Sequence, residues 1–244
     1  MSDRRCYEAR VRRLHRGSRS LLVLGMAAWV AIAAGPAAAG SITGTVRFAG
    51  ASVEPKKLPV TVNQAVCGTE KDAESIVLSP QKGIRNVVVS LQTPPPDATW
   101  TAPLPRVQLD QLQCVFIPHV VIVPVGGTVE FLNSDRLLHN IRSRKTTNPA
   151  FNRTQPKGRT IPIAFNQPEI VRVDCDLHPW MRTWVVVAEH PFFALTNERG
   201  EFVLDNVPPG RYTLQIWQET LGTVTRDVTV EDGVTAVTVE MREK

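Results

Sequence analysis

The chain of 244 residues is 43% hydrophobic, 21% charged and 6% aromatic, with 19 Pro, 15 Gly and a formal charge of +5. That composition excludes a wholly disordered chain and a multi-span membrane protein. The excess charge is local: residues 1–39 hold seven arginines and two acids, and the remainder carries 21 basic and 21 acidic side chains. A global electrostatic case for nucleic acid therefore fails.

In chain order, residues 1–39 read as an export signal. An Arg-rich start is followed by the apolar run Leu21–Ala34 and by small residues. The run is shorter than the roughly 20 apolar residues a comfortable membrane span needs. Ala37 and Ala39 supply the A-x-A spacing of a cleavage site, so cleavage after Ala39 is expected. The alternative is an uncleaved anchor. Cleavage implies a periplasmic protein with no stable membrane span; the pair Arg12-Arg13 leaves the choice between the general and twin-arginine routes open.

After residue 40 the chain reads as all-β. Short β-branched runs recur at Ser41–Phe48, Asn86–Gln92, Val120–Val125, Thr128–Leu132, Glu169–Asp174, Thr183–Ala188, Tyr212–Trp217, Val224–Val230 and Ala236–Met241. Turns are marked by Gly126-Gly127, Glu198-Arg199-Gly200, Pro208-Pro209-Gly210 and Asp232-Gly233. Many short strands at regular spacing predict sandwiches or barrels. The Pro-rich stretch Thr93–Pro105 predicts a semi-rigid connector.

Cysteine usage adds chemistry. Cys6 leaves with the signal, and the mature chain keeps Cys67, Cys114 and Cys175. In an oxidising compartment thiols tend to pair, and an odd number leaves one over. Cys175 has a reason to be left over, since Cys175, His178 and Met181 lie within seven residues. Thiolate, imidazole and thioether are donors that copper favours. Cys67 and Cys114 are then the disulfide candidates; the alternative is that both are free and buried. A blue-copper site needs two His nitrogens, a Cys thiolate and a weak axial Met. His139, after the run Val129–Asn133, supplies the second imidazole. The expected flanking strands Glu169–Asp174 and Thr183–Ala188 would hold the Cys-His-Met loop at both ends.

These stretches resemble a known family. Cys175–Met181 (CDLHPWM) with Gly126–Ile141 (GGTVEFLNSDRLLHNI) resembles amicyanin-type cupredoxins over about Arg106–Glu189. The resemblance implies a Greek-key β-sandwich holding one type 1 copper on His139, Cys175, His178 and Met181. It also implies that Asn140 ties the first-His segment to the Cys loop, with Pro179 in the short C-x-x-H-P spacing. The acids Asp174 and Asp176 beside the Cys keep potential and partner from being carried over. A second stretch, Phe193–Trp217 (FALTNERGEFVLDNVPPGRYTLQIW), resembles the carboxypeptidase regulatory-like module, a small transthyretin-like β-sandwich. Such modules begin with strands like Ser41–Val46 and Val87–Leu91, which here precede the copper segment. The expected organisation is a signal at 1–39, a first sandwich part and connector at 40–105, a cupredoxin at 106–189 and a second sandwich part at 190–244. The cupredoxin is thus inserted in the other sandwich, with a plain tandem as the alternative.

His119 and His190 read as hydrogen-bonded structural histidines, a second metal ligand being the alternative for His119. Trp180 serves packing, contact with a partner, or both. The basic stretch with Arg142, Arg144, Lys145, Arg153, Lys157 and Arg159 is either a solvated loop or a docking rim. The function expected is single-electron transfer to a redox protein, such as a c-type cytochrome or a periplasmic dehydrogenase, with the outer nitrogen of His178 as the exchange edge. The alternatives are metal handling or envelope complex assembly without redox turnover, and a structural envelope protein. An enzyme is not expected, because a closed four-donor site leaves no position for substrate.

Overall fold

The structure, a computed structural model, describes residues 39–243 except 52, 55, 145 and 146. The expected export signal, apart from Ala39, lies outside the described residues, as does Lys145. Period-two burial is plain in β1 (Gly40–Phe48), where Ile42, Val46 and Phe48 point inward and Arg47 outward. A short hairpin follows, β2 (Lys57–Pro59) and β3 (Glu70–Asp72), with the four-residue helix α1 (Gln64–Cys67) between its strands. β4 (Val88–Leu91) is buried at all four positions. It starts after Asn86, whose φ of 61° lies outside the strand region, which is why the expected strand from Asn86 is shorter.

Nine strands come next: β5 (Val107–Leu112), β6 (Val115–Ile117), β7 (Val120–Pro124), β8 (Thr128–Asn133), β9 (His139–Ser143), β10 (Asn152–Gln155), β11 (Ile161–Ala164), β12 (Glu169–Asp174) and β13 (Arg182–Ala188). They form two sheets, in the orders β10-β9-β12-β13-β7 and β11-β8-β5-β6. Alternation decides their inner faces. In β8 Val129 and Phe131 turn inward, and in β12 Val171 and Val173 do so while Arg172 faces out. With Leu109, Ile141 and Val185 they form one core; each such side chain contributes about 1.5–3 kcal/mol by leaving water. The β7–β8 turn uses Gly126 at φ +80°, the left-handed region that favours glycine.

The last strands are β14 (Phe193–Leu195), β15 (Glu201–Val207), β16 (Gly210–Gln218), β17 (Gly222–Val230) and β18 (Val234–Met241). Their sheets need the early strands: the orders are β15-β1-β18 and β14-β4-β16-β17. β1 pairs antiparallel with β15 and parallel with β18, and β4 pairs antiparallel with β14 and β16. The chain therefore leaves this sandwich after β4 and returns at β14, with the nine strands β5–β13 between. Its own core includes Ile42, Val89, Phe202, Leu214, Ile216 and Val239.

A third apolar cluster joins the sandwiches. Val120 and Val186, with Ile122, Ile170 and Trp184, meet Val88, Phe193 and Trp217. Burial on both sheet faces explains why β7, β13 and β4 read as continuous apolar runs instead of alternating ones. The Trp184 and Trp217 rings meet nearly edge to face, with centroids 5.2 Å apart, a favourable aromatic arrangement.

Candidate metal centre

Strand alternation brings the donors together. Val171 and Val173 face the core, and Cys175 continues that face just beyond the end of β12. On the neighbouring strand β9, His139 shares its face with the buried Ile141. The pairing of Val173 with Ser143 and Asp174 with Arg142 sets the register that puts Cys175 beside β9. The chain then turns back into β13. The Cys175 N–H donates to the Met181 carbonyl at 3.2 Å, and the Met181 N–H to the His178 carbonyl at 2.9 Å. This short loop delivers His178 and Met181 to the same end of the sandwich.

His139, Cys175 and His178 each offer an atom within 4.8 Å of the others. The two Nδ1 atoms are 2.9 Å apart, and Cys175 Sγ is 3.6 Å from His178 Nδ1. Metal bonds of about 2.0 Å to nitrogen and 2.3 Å to sulfur, as in zinc sites, span such separations. Met181 is buried in the same core. All four candidate donors are at most 2% exposed. Two neutral imidazoles, one sulfur and a thioether fit copper as a donor set.

Each imidazole is oriented by a partner on its far nitrogen. His139 Nε2 donates to Asp135 Oδ2 at 2.9 Å. Asp135 is itself held by the Gln113 N–H at 2.7 Å on Oδ1 and the Cys114 N–H at 2.8 Å on Oδ2. This places the His139 proton on Nε2 and leaves Nδ1 as a lone pair, the usual way a carboxylate prepares a metal-binding imidazole. His178 Nε2 donates to Asn63 Oδ1 at 3.1 Å, which frees its Nδ1 likewise. Burial pushes the His178 pKa down to about 4, with the nearby His139 adding to it and Asp135 opposing. Burial also lowers that of His139, against the pull of Asp135. Both rings are thus kept neutral. Burial raises the Cys175 thiol, while the backbone N–H groups of Asn140, Leu177 and His178 favour its thiolate.

Asp135 and Asn63 were not singled out from the sequence. Asp135 stands four residues before His139, a spacing that could have marked it. Asn63 is remote, and no local signal points to it. Replacing Asp135 with Ala should cut copper affinity by about 10–100-fold, the usual cost of losing such an orienting carboxylate. Competition with a chromophoric chelator measures it.

Asn140 links the two donor segments: its Oδ1 accepts the Asp176 N–H at 2.5 Å and its Nδ2 donates to Asn152 Oδ1 at 2.8 Å. Pro179 is exposed between His178 and Trp180. The Trp180 ring lies 5.2 Å from that of His178, and its indole N–H donates to the Cys114 carbonyl at 2.9 Å. Cys114, in the β5–β6 turn, is disulfide-bonded to Cys67 at the end of α1, and Cys175 is the free cysteine among the described residues.

Two expectations are corrected here. His178 is not an exposed edge: it is 1% exposed, because the β2–α1–β3 hairpin is tied by its disulfide to the β5–β6 turn and lays Asn63 on the ring's outer nitrogen. Arg142 is not a free docking cation either, since it pairs with Asp176 Oδ1 at 2.9 Å. Arg144, Arg153, Lys157 and Arg159 are exposed. His190 is buried, accepts the Phe192 N–H at 3.2 Å on Nδ1 and packs on Phe193, a structural arrangement. His119 stands apart from the donor cluster.

A family profile, polysaccharide lyase family 4, domain II, matches residues 178–238. The profile found over these residues is thus not that of the carboxypeptidase regulatory-like module expected there. No curated protein matches the chain. Among solved structures, a purple cupredoxin from Nitrosopumilus maritimus is 24% identical with a TM-score of 0.31, covering 34% of this chain and 99% of its own. Amicyanin from Paracoccus versutus is 24% identical with a TM-score of 0.32, over 41% of this chain and 97% of its own. A copper-containing nitrite reductase from Thermus scotoductus SA-01 is 25% identical with a TM-score of 0.33, over 40% of this chain. This chain spans only 25% of that reductase. The fold is all-β, and the case for a metal rests on the chain's own donors.

Proposed function

We propose that the chain is an exported copper protein that passes single electrons in the periplasm, with one copper held by His139, Cys175, His178 and Met181. The observation that carries this reading is the convergence of two imidazole Nδ1 atoms and one thiol sulfur within 4.8 Å, buried and already oriented. Copper, when bound, supplies the one-electron couple. The protein's part is to hold the donors fixed: Asp135 and Asn63 set the imidazole tautomers, and the Asn140–Asp176 bond locks the loop to β9. Burial of all four donors favours a carrier over an enzyme, since it leaves substrate no approach.

With His178 covered, exchange with a partner has to cross a thin layer of protein. Asn63 is exposed and bonded to the ring, and the exposed Leu138 and Leu177 flank His139 and His178. A c-type cytochrome or a periplasmic dehydrogenase is the class of partner we propose for this end. Voltammetry of the copper-loaded protein tests the function. A reversible one-electron wave supports the carrier; copper that is not reducible without loss from the protein contradicts it and favours metal handling.

Arg144 and Arg153 are left as candidate steering charges. Reversing both to Glu should slow exchange with an acidic partner and flatten its salt dependence, as expected for exposed charges screened over about 8 Å at physiological salt. Stopped-flow rates against ionic strength check it. Unchanged rates assign docking to the apolar surface at Leu138 and Leu177. Arg142 is unsuitable for such a reversal, because a Glu there would face Asp176.

A further inference from the structure

His119, between β6 and β7, is 7% exposed. Its backbone carbonyl accepts the Trp184 N–H at 3.0 Å and the Thr183 hydroxyl at 2.9 Å, so its place is set by β13. Its Nε2 is hydrogen-bonded to Glu219 Oε1. The other oxygen of Glu219 accepts the Trp184 indole N–H at 2.9 Å, and the Glu219 side chain is 7% exposed. A carboxylate that accepts from Nε2 puts the ring proton there and leaves a lone pair on Nδ1. That Nδ1 is buried and meets no hydrogen-bond partner among the described residues. Glu74 Oε2 lies 3.6 Å from it.

Two acceptors that face each other at this distance are reconciled by a shared proton or by a metal cation between them. The carboxylate–imidazole arrangement is the one that orients metal-binding histidines, and bonds of about 2.0–2.2 Å to nitrogen and oxygen span such a separation. His119, Glu74 and Glu219 line a cavity of about 500 Å³ that also holds Ser75 and is bounded by Trp180 and Met181 of the donor loop. It has room for waters to complete a coordination shell. Burial raises the Glu74 pKa most; Glu219 and Asp72 add to it, and His119 and Arg85 oppose.

We propose a second metal site, in which His119 Nδ1 and the Glu74 carboxylate bind a divalent first-row transition-metal cation, with Glu219 as positioning residue. Imidazole with carboxylate and water is a borderline-to-hard donor set, unlike the sulfur-containing cluster, so this site takes Zn²⁺ or Cu²⁺ in preference to Cu(I).

Zn²⁺ provides the probe. Full-length mature protein, first loaded with one equivalent of copper, is dialysed to equilibrium against Zn²⁺ and the bound metal counted. One Zn²⁺ per chain beyond the first equivalent is expected. His119→Gln and Glu74→Gln should each weaken that binding at least tenfold. Glu74 is the more exposed of the pair, so E74Q keeps the test valid should H119Q fold poorly; an unaltered circular dichroism spectrum certifies the fold. The comparison reads the difference between variant and parent, so it stands whatever fills the Cys175 cluster. No second equivalent, or one that both variants retain, overturns the proposal and leaves His119 a structural histidine bonded to Glu219.

Discussion

Replacing Cys175 with Ser should abolish the intense visible absorption of the copper-loaded protein. The thiolate is the donor whose charge transfer gives such a band, and the other described cysteines are bonded to each other. A serine hydroxyl would sit in the same buried place without the sulfur. Burial raises the Cys175 pKa, so metal has to displace a proton, and copper uptake by the parent should release protons that the variant does not. Met181→Leu is the informative contrast. The axial bond is weak, so this variant should keep colour and copper and shift only the potential. An intense band that persists in the Cys175→Ser protein contradicts the donor assignment.

Removing the Cys67–Cys114 bond, by changing both residues to Ser, should have the largest effect on stability and also on access to the site. The bond joins positions 47 residues apart. Chain-entropy arguments give about 4 kcal/mol for a loop of that length, which the urea midpoint can read. Cys67 is buried in the core and Cys114 beside it, so lost packing adds to the change. The β2–α1–β3 hairpin carries Asn63, and freeing it uncovers His178 Nε2. Electron exchange with a small hexacyanoferrate probe should therefore speed up. A slower or unchanged rate would mean that Asn63 does not limit access.

Much of the architecture was legible because alternation and turns are local. The strand at Glu169–Asp174 has the expected bounds, and β1 and β4, which pair with late strands, lie in segments that read as strands before the Cys175 loop. Cys175, His178 and Met181 stand out because a seven-residue loop carries three soft or borderline donors. β10 and β11 are not legible in the sequence because Asn152–Gln155 and Ile161–Ala164 are short, polar or Pro-containing edge strands. Nor is β9, because His139, Asn140 and Ser143 are buried for the site's sake and blur the pattern. The cover on His178 was illegible for a different reason. Asn63 reaches it from a hairpin 115 residues away in sequence, and the Cys67–Cys114 bond and the burial of Val60 in the same core, both long-range choices, bring that hairpin there. Exposure of a ligand edge is a tertiary property that the motif does not encode.

The measurement closest to the central claim is the absorption spectrum of the copper-loaded mature protein, taken with metal content and after reduction. One tightly held copper per chain is expected, with an intense visible band that bleaches on reduction and returns on oxidation. A chain that binds copper with only the weak absorption of nitrogen and oxygen donors, or that takes up no copper at the Cys175 cluster, would contradict it.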